Sequence, residues 1–390
     1  MEIISPDTNG CSATIAKFVN GFLKRIDMGL LFNEDHTAVT GVDDKSISEV
    51  IIPQGVVFIE KNAFKDCNLL SSIDLPSSLE RIADSAFMGC SSLHELDIPK
   101  SVYEIGDRVF QDCSQLRSID LPKGLKYLGE HAFSGCKSLS KIVIPNQIET
   151  LKAGLFSGCI SLKEVVLPDC LNDIEWDVFD GCPNLSKVSV CSDIFRTSEK
   201  DGTVYSSSQW GDLWSYIFCP RDFKGEFTLG GDAYYEAFQY CNQLEAMYIC
   251  PEPQETTWIW DKAFYGCSAL ARIRWEGDVF GAFNDGTSVK IGKFAFYDCS
   301  SLKRIFLPFY VDRIDEGAFV GTPLKSLYVK WTSPNSKYYL FNDKMMDDST
   351  YDSCILYVPE GTRWEYRHHP AWGKFKNIET YEALPDDLAM

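Results

Sequence analysis

Cysteine is the residue through which this chain could most readily do chemistry: fifteen occur in 390 residues. Nine of them, Cys67, Cys90, Cys113, Cys136, Cys159, Cys182, Cys241, Cys267 and Cys299, each stand three positions after a phenylalanine. A disulfide needs Cβ vectors that face each other. Thiols at equivalent places of a repeat point the same way, so these nine read as small, unpaired, buried hydrophobes. No Cys-x-x-Cys pair is present, and a structural zinc site usually draws on one. Cys11, Cys170, Cys191, Cys219, Cys250 and Cys354 lie outside the column, and any disulfide or reactive thiol is expected among these six.

The other reactive residue types are poorly arranged. The five histidines, His36, His94, His131, His368 and His369, form no His-Glu-x-x-His motif. No glycine-rich phosphate loop occurs. Acidic residues are abundant but occupy polar positions of a repeat, and no carboxylate pair stands out. The expectation is therefore a protein that is not an enzyme, with no metal and no cofactor. The formal net charge of −19 repels phosphate backbones and anionic membrane surfaces, which argues against nucleic acid as a partner. No run of 18 apolar residues exists, so membrane insertion is not expected. The start, Met1-Glu2-Ile3-Ile4-Ser5-Pro6, lacks a basic segment followed by an apolar run. No export signal is thus expected within these residues.

The elements that place the cysteines follow from spacing. Phe64, Phe87, Phe110, Phe133, Phe156 and Phe179 recur at steps of 23 residues. Further columns run through Leu70, Leu93, Leu116, Leu139, Leu162 and Leu185, and through Ile73, Leu96, Ile119, Ile142, Val165 and Val188. Proline closes five of these units, at Pro76, Pro99, Pro122, Pro145 and Pro168. Around Ile119 apolar and polar residues alternate, which is the period of a strand, and Pro122 ends that strand because it has no amide hydrogen to give. A short helical turn is expected at Glu130–Cys136. One such unit cannot bury its own apolar face. Stacking units at roughly 4.7–4.9 Å per strand makes a continuous core. The fold class is therefore α/β: a leucine-rich-repeat solenoid with a parallel β-sheet of stacked 23-residue repeats and short helical turns.

The pattern breaks after Val190 and resumes with Phe238, Phe264, Phe296 and Phe319, where Thr322 takes the cysteine column. Longer steps there imply insertions near Thr256–Trp260 and Gly277–Ser288. Five regions result: 1–45, a capping helix and strand; 46–190, a first array; 191–230, an interrupting hairpin; 231–351, a second array; and 352–390, a C-terminal cap. The capping helix is read from Ile15, Phe18, Val19, Phe22, Leu23 and Ile26, which share one helical face behind a Ser12 cap.

These units resemble the BspA-like, or treponemal-type, leucine-rich-repeat family. Its repeat is matched closely by Ile82-Ala83-Asp84-Ser85-Ala86-Phe87-Met88-Gly89-Cys90-Ser91-Ser92-Leu93. The resemblance covers residues 47–380. It implies a bacterial or protist surface protein that adheres to host or matrix proteins, at the cell surface or secreted. It carries over no binding residue. Two other readings stand beside it: a carbohydrate-binding module using Tyr248, Phe306, Tyr328, Trp275 or Trp331, and an intracellular scaffold. A monomer is expected.

The informative surface is the outward side of the repeat strands. Early outward positions are acidic, as at Asp74, Asp97 and Asp120. Late ones are Tyr248, Arg272, Arg274, Arg304, Phe306, Tyr328 and Tyr357. Tyrosine and arginine are enriched at binding hot spots, so these seven are the expected ligand-binding residues. The competing reading is that aromatics simply suit strands and pack cross-strand.

Overall fold

A computed structural model describes residues 4–5, 14–19, 22–27, 29–190, 192–207, 214–251, 253–275, 286–335, 339–385 and 388. Two compact units divide the chain, residues 1–193 and residues 194–390. Each is a solenoid of parallel strands. Among the described residues the helices are Asp348–Ser353, Arg363–Arg367 and the 3-10 turn Trp372–Lys374.

In the first unit each turn has three sides. The first side is a three-residue strand, such as Glu95–Asp97 and Ser118–Asp120, which pair in parallel with Leu96 opposite Ile119. Only the middle residue of each points inward, so Leu96 and Ile119 are buried between exposed neighbours. The proline that follows opens a turn, with Val102 and Leu125 donating to the carbonyls of Pro99 and Pro122 at 3.0 Å each. The second side is a two-residue strand, Glu104–Ile105 or Tyr127–Leu128, again paired in parallel. The third side carries phenylalanine and cysteine.

The third side was expected to be a helical turn and is built differently. The residues two before and two after each phenylalanine are left-handed: Asn62 and Asp66 about Phe64, Arg108 and Asp112 about Phe110, Gly154 and Gly158 about Phe156. This alternation aims every second amide along the stack. Asn62, Phe64 and Asp66 donate to the carbonyls of Asp84, Ala86 and Met88 at 2.8–3.1 Å. The amides between them, of Ala63, Lys65 and Cys67, close local turns onto Glu60, Asn62 and Phe64. A helix would satisfy its amides within its own segment. Here half of them are spent on the neighbouring turn, so the side behaves as another ladder. The phenylalanine rings stack along it, with centroids 5.2–6.1 Å apart and planes within 13° from Phe64 to Phe179. Burying each ring contributes about 1.5–3 kcal/mol.

The cysteine column has a polar task as well as an apolar one. Cys90, Cys113, Cys136, Cys159 and Cys182 each donate their thiol to the phenylalanine carbonyl of the preceding turn at 3.1–3.2 Å. In the second unit Thr322 does the same with a hydroxyl, 2.6 Å from the carbonyl of Phe296. That explains why threonine can enter the column. Cys170 plays a similar part elsewhere, donating to the carbonyl of Asn146 at 3.1 Å. Among the described residues no cysteine is bridged; Cys11 and Cys191 lie outside them.

The N-terminal segment departs from the expected capping helix. Thr14–Val19 and Phe22–Asp27 are antiparallel strands, with Val19 opposite Phe22, and Ile4–Ser5 pairs alongside. Ser12, expected to cap a helix, lies outside the described residues. Asn20-Gly21, which separates the strands in the sequence, is the strongest short signal for a hairpin, and it outweighs the helical spacing of the apolar residues. Leu30–Phe32 and Ala38–Val42 form a second antiparallel pair, and Ala38–Val42 then pairs in parallel with Phe58–Ile59.

In the second unit Phe195–Thr197, Val204–Ser207 and Trp214–Phe218 run antiparallel in sequence. Trp214–Phe218 then pairs in parallel with Gly231–Ala233. Thr256–Ile259, expected as an insertion, is a strand in this same lateral sheet, followed by Ser288–Ile291 and Val311–Ile314. The repeat strands form sheets Lys224–Leu229, Gln243–Ile249, Arg272–Trp275 and Arg304–Leu307, Ser326–Val329, Ile355–Pro359, Asn377–Tyr381.

Two outcomes test this scheme. Cys113→Thr keeps a donor for the carbonyl of Phe87, whereas the isosteric Cys113→Val does not. Chemical denaturation is expected to place the valine variant about 1–2 kcal/mol below the threonine variant. Equal stability would remove the polar role of the column. Gly158→Ala has room, since a methyl would meet nothing closer than 3.7 Å, yet φ there is +74°. It is expected to cost about 1–2 kcal/mol through the backbone alone.

Candidate protein-binding face

The seven expected residues all lie on the repeat strands of the second unit, and register decides which of them meet. Tyr248 lies opposite Arg274, and Ala246 opposite Arg272. Arg304 lies opposite Ser326, and Phe306, Tyr328 and Tyr357 fall in one row. The strand Arg272–Trp275 neighbours Arg304–Leu307, and Trp275 donates its indole N–H to the carbonyl of Phe306 at 2.7 Å.

One group is accessible and charged. The Arg274 guanidinium stands over the Tyr248 ring, 5.9 Å from its centroid, and Arg274 Nε has no hydrogen-bond partner. The Tyr248 hydroxyl donates to Glu226 Oε2 at 3.1 Å, and Arg272 pairs with Glu226 Oε1 at 2.9 Å. Arg272 and Arg304 are exposed, and Tyr248 and Arg274 half-buried. Glu226 holds the group together, from a segment that the spacing assigns to the interrupting hairpin. The alternation Lys224-Gly225-Glu226-Phe227-Thr228-Leu229, with Phe227 and Leu229 buried, was the available signal for a strand there.

The second group is aromatic and mostly inaccessible. Phe306 is 5% exposed and Tyr328 8%. The Tyr328 ring is covered on one face by Tyr357, with centroids 4.4 Å apart, and met edge-on by Tyr381 at 5.6 Å. The Tyr381 hydroxyl donates to the carbonyl of Val329 at 2.9 Å. Phe306 and Tyr328 therefore support the surface from below, and only Tyr357 of that row is half-exposed. The outward position of a strand is outward only if nothing folds over it, and the C-terminal strand Asn377–Tyr381 brings Tyr381 over this one. Trp275 and Trp331 are buried too, at 4% and 1%, so four of the five rings expected to stack on sugar are closed to it.

Another cluster lies on the lateral sheet, where the strand Thr256–Ile259 stands in place of the expected insertion. Trp258 and Trp260 stack at 4.7 Å, Tyr235 lies 5.0 Å from Trp260, and Lys290 and Arg313 stand over Trp258 at 4.9 and 5.6 Å. These rings already partner one another. Beneath them Asp232 accepts the Trp258 amide at 2.7 Å, and burial raises its carboxyl above the usual range. The first unit shows the contrast in charge: Asp74, Asp97 and Asp120 are exposed, and further along Glu164 is held below the usual range by hydrogen bonds from Lys187 and Lys141, at 2.9 and 3.0 Å.

The repeat of Phe, Cys and strand columns matches the BspA type leucine rich repeat region in six copies, over residues 43–137, 80–201 and 234–347. The chain belongs to the BspA-type leucine-rich-repeat family. Solved structures share this fold across nearly the whole chain. A leucine rich cell surface protein from Faecalibacterium prausnitzii A2-165 is 21% identical, with a TM-score of 0.67 over 98% of this chain and 95% of its own. The pneumococcal vaccine antigen PcpA is 18% identical, with a TM-score of 0.65 over 98% and 99%. A leucine-rich repeat protein from Eubacterium ventriosum is 17% identical, with a TM-score of 0.52 over 92% and 84%. No curated protein matches the chain. Among the described residues no helix is long and apolar enough to cross a membrane.

The raised carboxyl of Asp232 makes a testable sign. A folded-state value above the unfolded one means that the unfolded chain holds the ionised form more comfortably. The stability linked to this group is present while it is protonated and is lost as pH rises through its folded value. Asp232→Asn is expected to melt higher than the parent at neutral pH, with the gap closing as pH falls into the ordinary carboxylate range. A gap that widens in acid would reverse the assignment.

Proposed function

We propose that the chain is a non-catalytic interaction protein that binds a protein partner through the repeat-strand face of its second unit. The observation that carries this is the group formed by Tyr248, Arg272, Arg274 and Glu226: an accessible ring and two guanidiniums on adjacent strands of a rigid scaffold. Arg304 and Tyr357 extend it, with Phe306 and Tyr328 buried in the row that carries Tyr357. Repeat proteins of this kind offer one or two outward residues per turn, which suits an extended partner better than a small molecule. Two arginines beside an aromatic ring favour an acidic or amphipathic partner. The Faecalibacterium relative is described as a cell surface protein, and we place this chain at the cell surface by that likeness, where a host or matrix protein is the fitting partner.

The test is affinity for a partner isolated on the immobilised chain. Tyr248→Ala combined with Arg274→Glu should weaken it by more than about 2 kcal/mol, roughly 30-fold. Asp97→Lys combined with Asp120→Lys, in the first unit, should leave it unchanged. If the folded Tyr248/Arg274 variant binds as tightly as the parent, the partner docks elsewhere.

A further inference from the structure

We propose that Cys219 and Cys241, with Arg221 beside them, form an oxidation site that a small hydroperoxide closes into a disulfide. Cys219 follows the strand Trp214–Phe218, and its amide donates to the carbonyl of Ala237 at 2.7 Å. Cys241 is the first column cysteine of the second unit. It does not meet the partner its column normally uses, a phenylalanine carbonyl one turn earlier. Its thiol lies 3.5 Å from the carbonyl of Pro220, and the Cys219 thiol lies 3.8 Å from the same oxygen. Both thiols are fully buried, and both point at that one oxygen.

Arg221 is what separates this pair from the rest of the column. It is 5% exposed. Its terminal nitrogens donate to the carbonyls of Glu236 and Ala237 at 3.3 Å, and its Nε has no partner. Its positive charge also favours the ionised form of the Cys241 thiol. Among the described residues it makes no ion pair. A guanidinium cannot shed its proton, so burial without a counter-charge is costly. The Cys241 thiol is an acid placed to share in supplying that charge. Burial alone would raise it, but the hydrogen bond from Cys219 and the charge of Arg221 outweigh burial and hold it low. Burial pushes Cys113, Cys136 and Cys299 up, and no such cation offsets it there; at Cys267 burial prevails although the charge of Arg221 is felt.

The chemistry balances with hydrogen peroxide as oxidant. The Cys241 thiolate attacks one peroxide oxygen; an S–O bond forms, the O–O bond breaks, and hydroxide leaves to take up the proton that Cys241 gave away. The sulfur has lost two electrons and is a sulfenic acid. Cys219 then attacks that sulfur; the S–S bond forms, the S–O bond breaks, and the oxygen leaves as water with the Cys219 proton. Two thiols and one peroxide become one disulfide and two waters. The bridge ties the strand Trp214–Phe218 to the first turn of the second array.

The reduced full-length chain is treated with peroxide, alkylated under denaturing conditions and mapped without reductant. The expected product is the Cys219–Cys241 cross-linked peptide, formed while Cys90, Cys113 and Cys136 still alkylate. If Cys219 and Cys241 remain alkylatable, or if the column cysteines oxidise as fast, the proposal is overturned. Cys219→Ser should halt the reaction at a Cys241 sulfenic acid that a cyclic dione probe captures; no capture in the folded variant also overturns it. Arg221→Met should slow cross-linking on the order of tenfold by removing the cation that favours the thiolate, and an unchanged rate in a folded variant counts against the role of Arg221.

Discussion

Every phenylalanine carbonyl on the turn side of the first unit must be satisfied inside a dry core, and most of the architecture follows from how that is done. The carbonyl of Phe64 takes the amide of Cys67 in its own turn and the thiol of Cys90 in the next, each at 3.1 Å. The first contact shapes the turn and the second fixes the distance to its neighbour. Because the same oxygen serves both, a turn cannot slide against the next without stranding a buried acceptor, at about 1–3 kcal/mol each time. The ring stacks and the strand registers then fall into place at one common translation. The left-handed residues flanking each phenylalanine belong to the same requirement, since without them the intervening amides would not point along the stack.

The repeat was legible because this requirement recurs every 23 residues, so the columns of Phe, Cys, Leu and Pro name the fold directly. The thiol's polar role was not legible, because a buried cysteine looks like a small hydrophobe until Thr322 is seen making the same bond. Asn20-Gly21 was readable, but a helical spacing of apolar residues spoke against it, and short apolar runs fit either period. At the candidate face, columns identified which residues share a row, as with Phe306, Tyr328 and Tyr357. They said nothing about what the C-terminal segment lays over that row. Tyr381 lies 53 residues after Tyr328 in sequence, outside any repeat column, and its edge-on contact is a tertiary fact.

The two units solve one packing problem with different surfaces. In the first, Asp74, Asp97 and Asp120 point outward, and further along Lys141, Glu164 and Lys187 bridge successive turns. Such exposed pairs contribute little to stability. In the second, larger side chains reach across strands and hold one another, as Tyr248, Glu226 and Arg272 do. A surface of that kind loses less side-chain freedom when something docks, because its groups are already fixed.

The direction of the hydrogen bonds has a mechanical meaning. In the first unit the ladders on all three sides of a turn run along the stack, from each turn to the next. Tension applied along that direction loads successive turns in series, and the weakest boundary yields while the others hold. Each released turn frees 23 residues, about 80 Å of extended chain, before the next boundary bears the load. A stretched unit would therefore lengthen in even steps, dissipating work at each one and leaving the turns behind it intact.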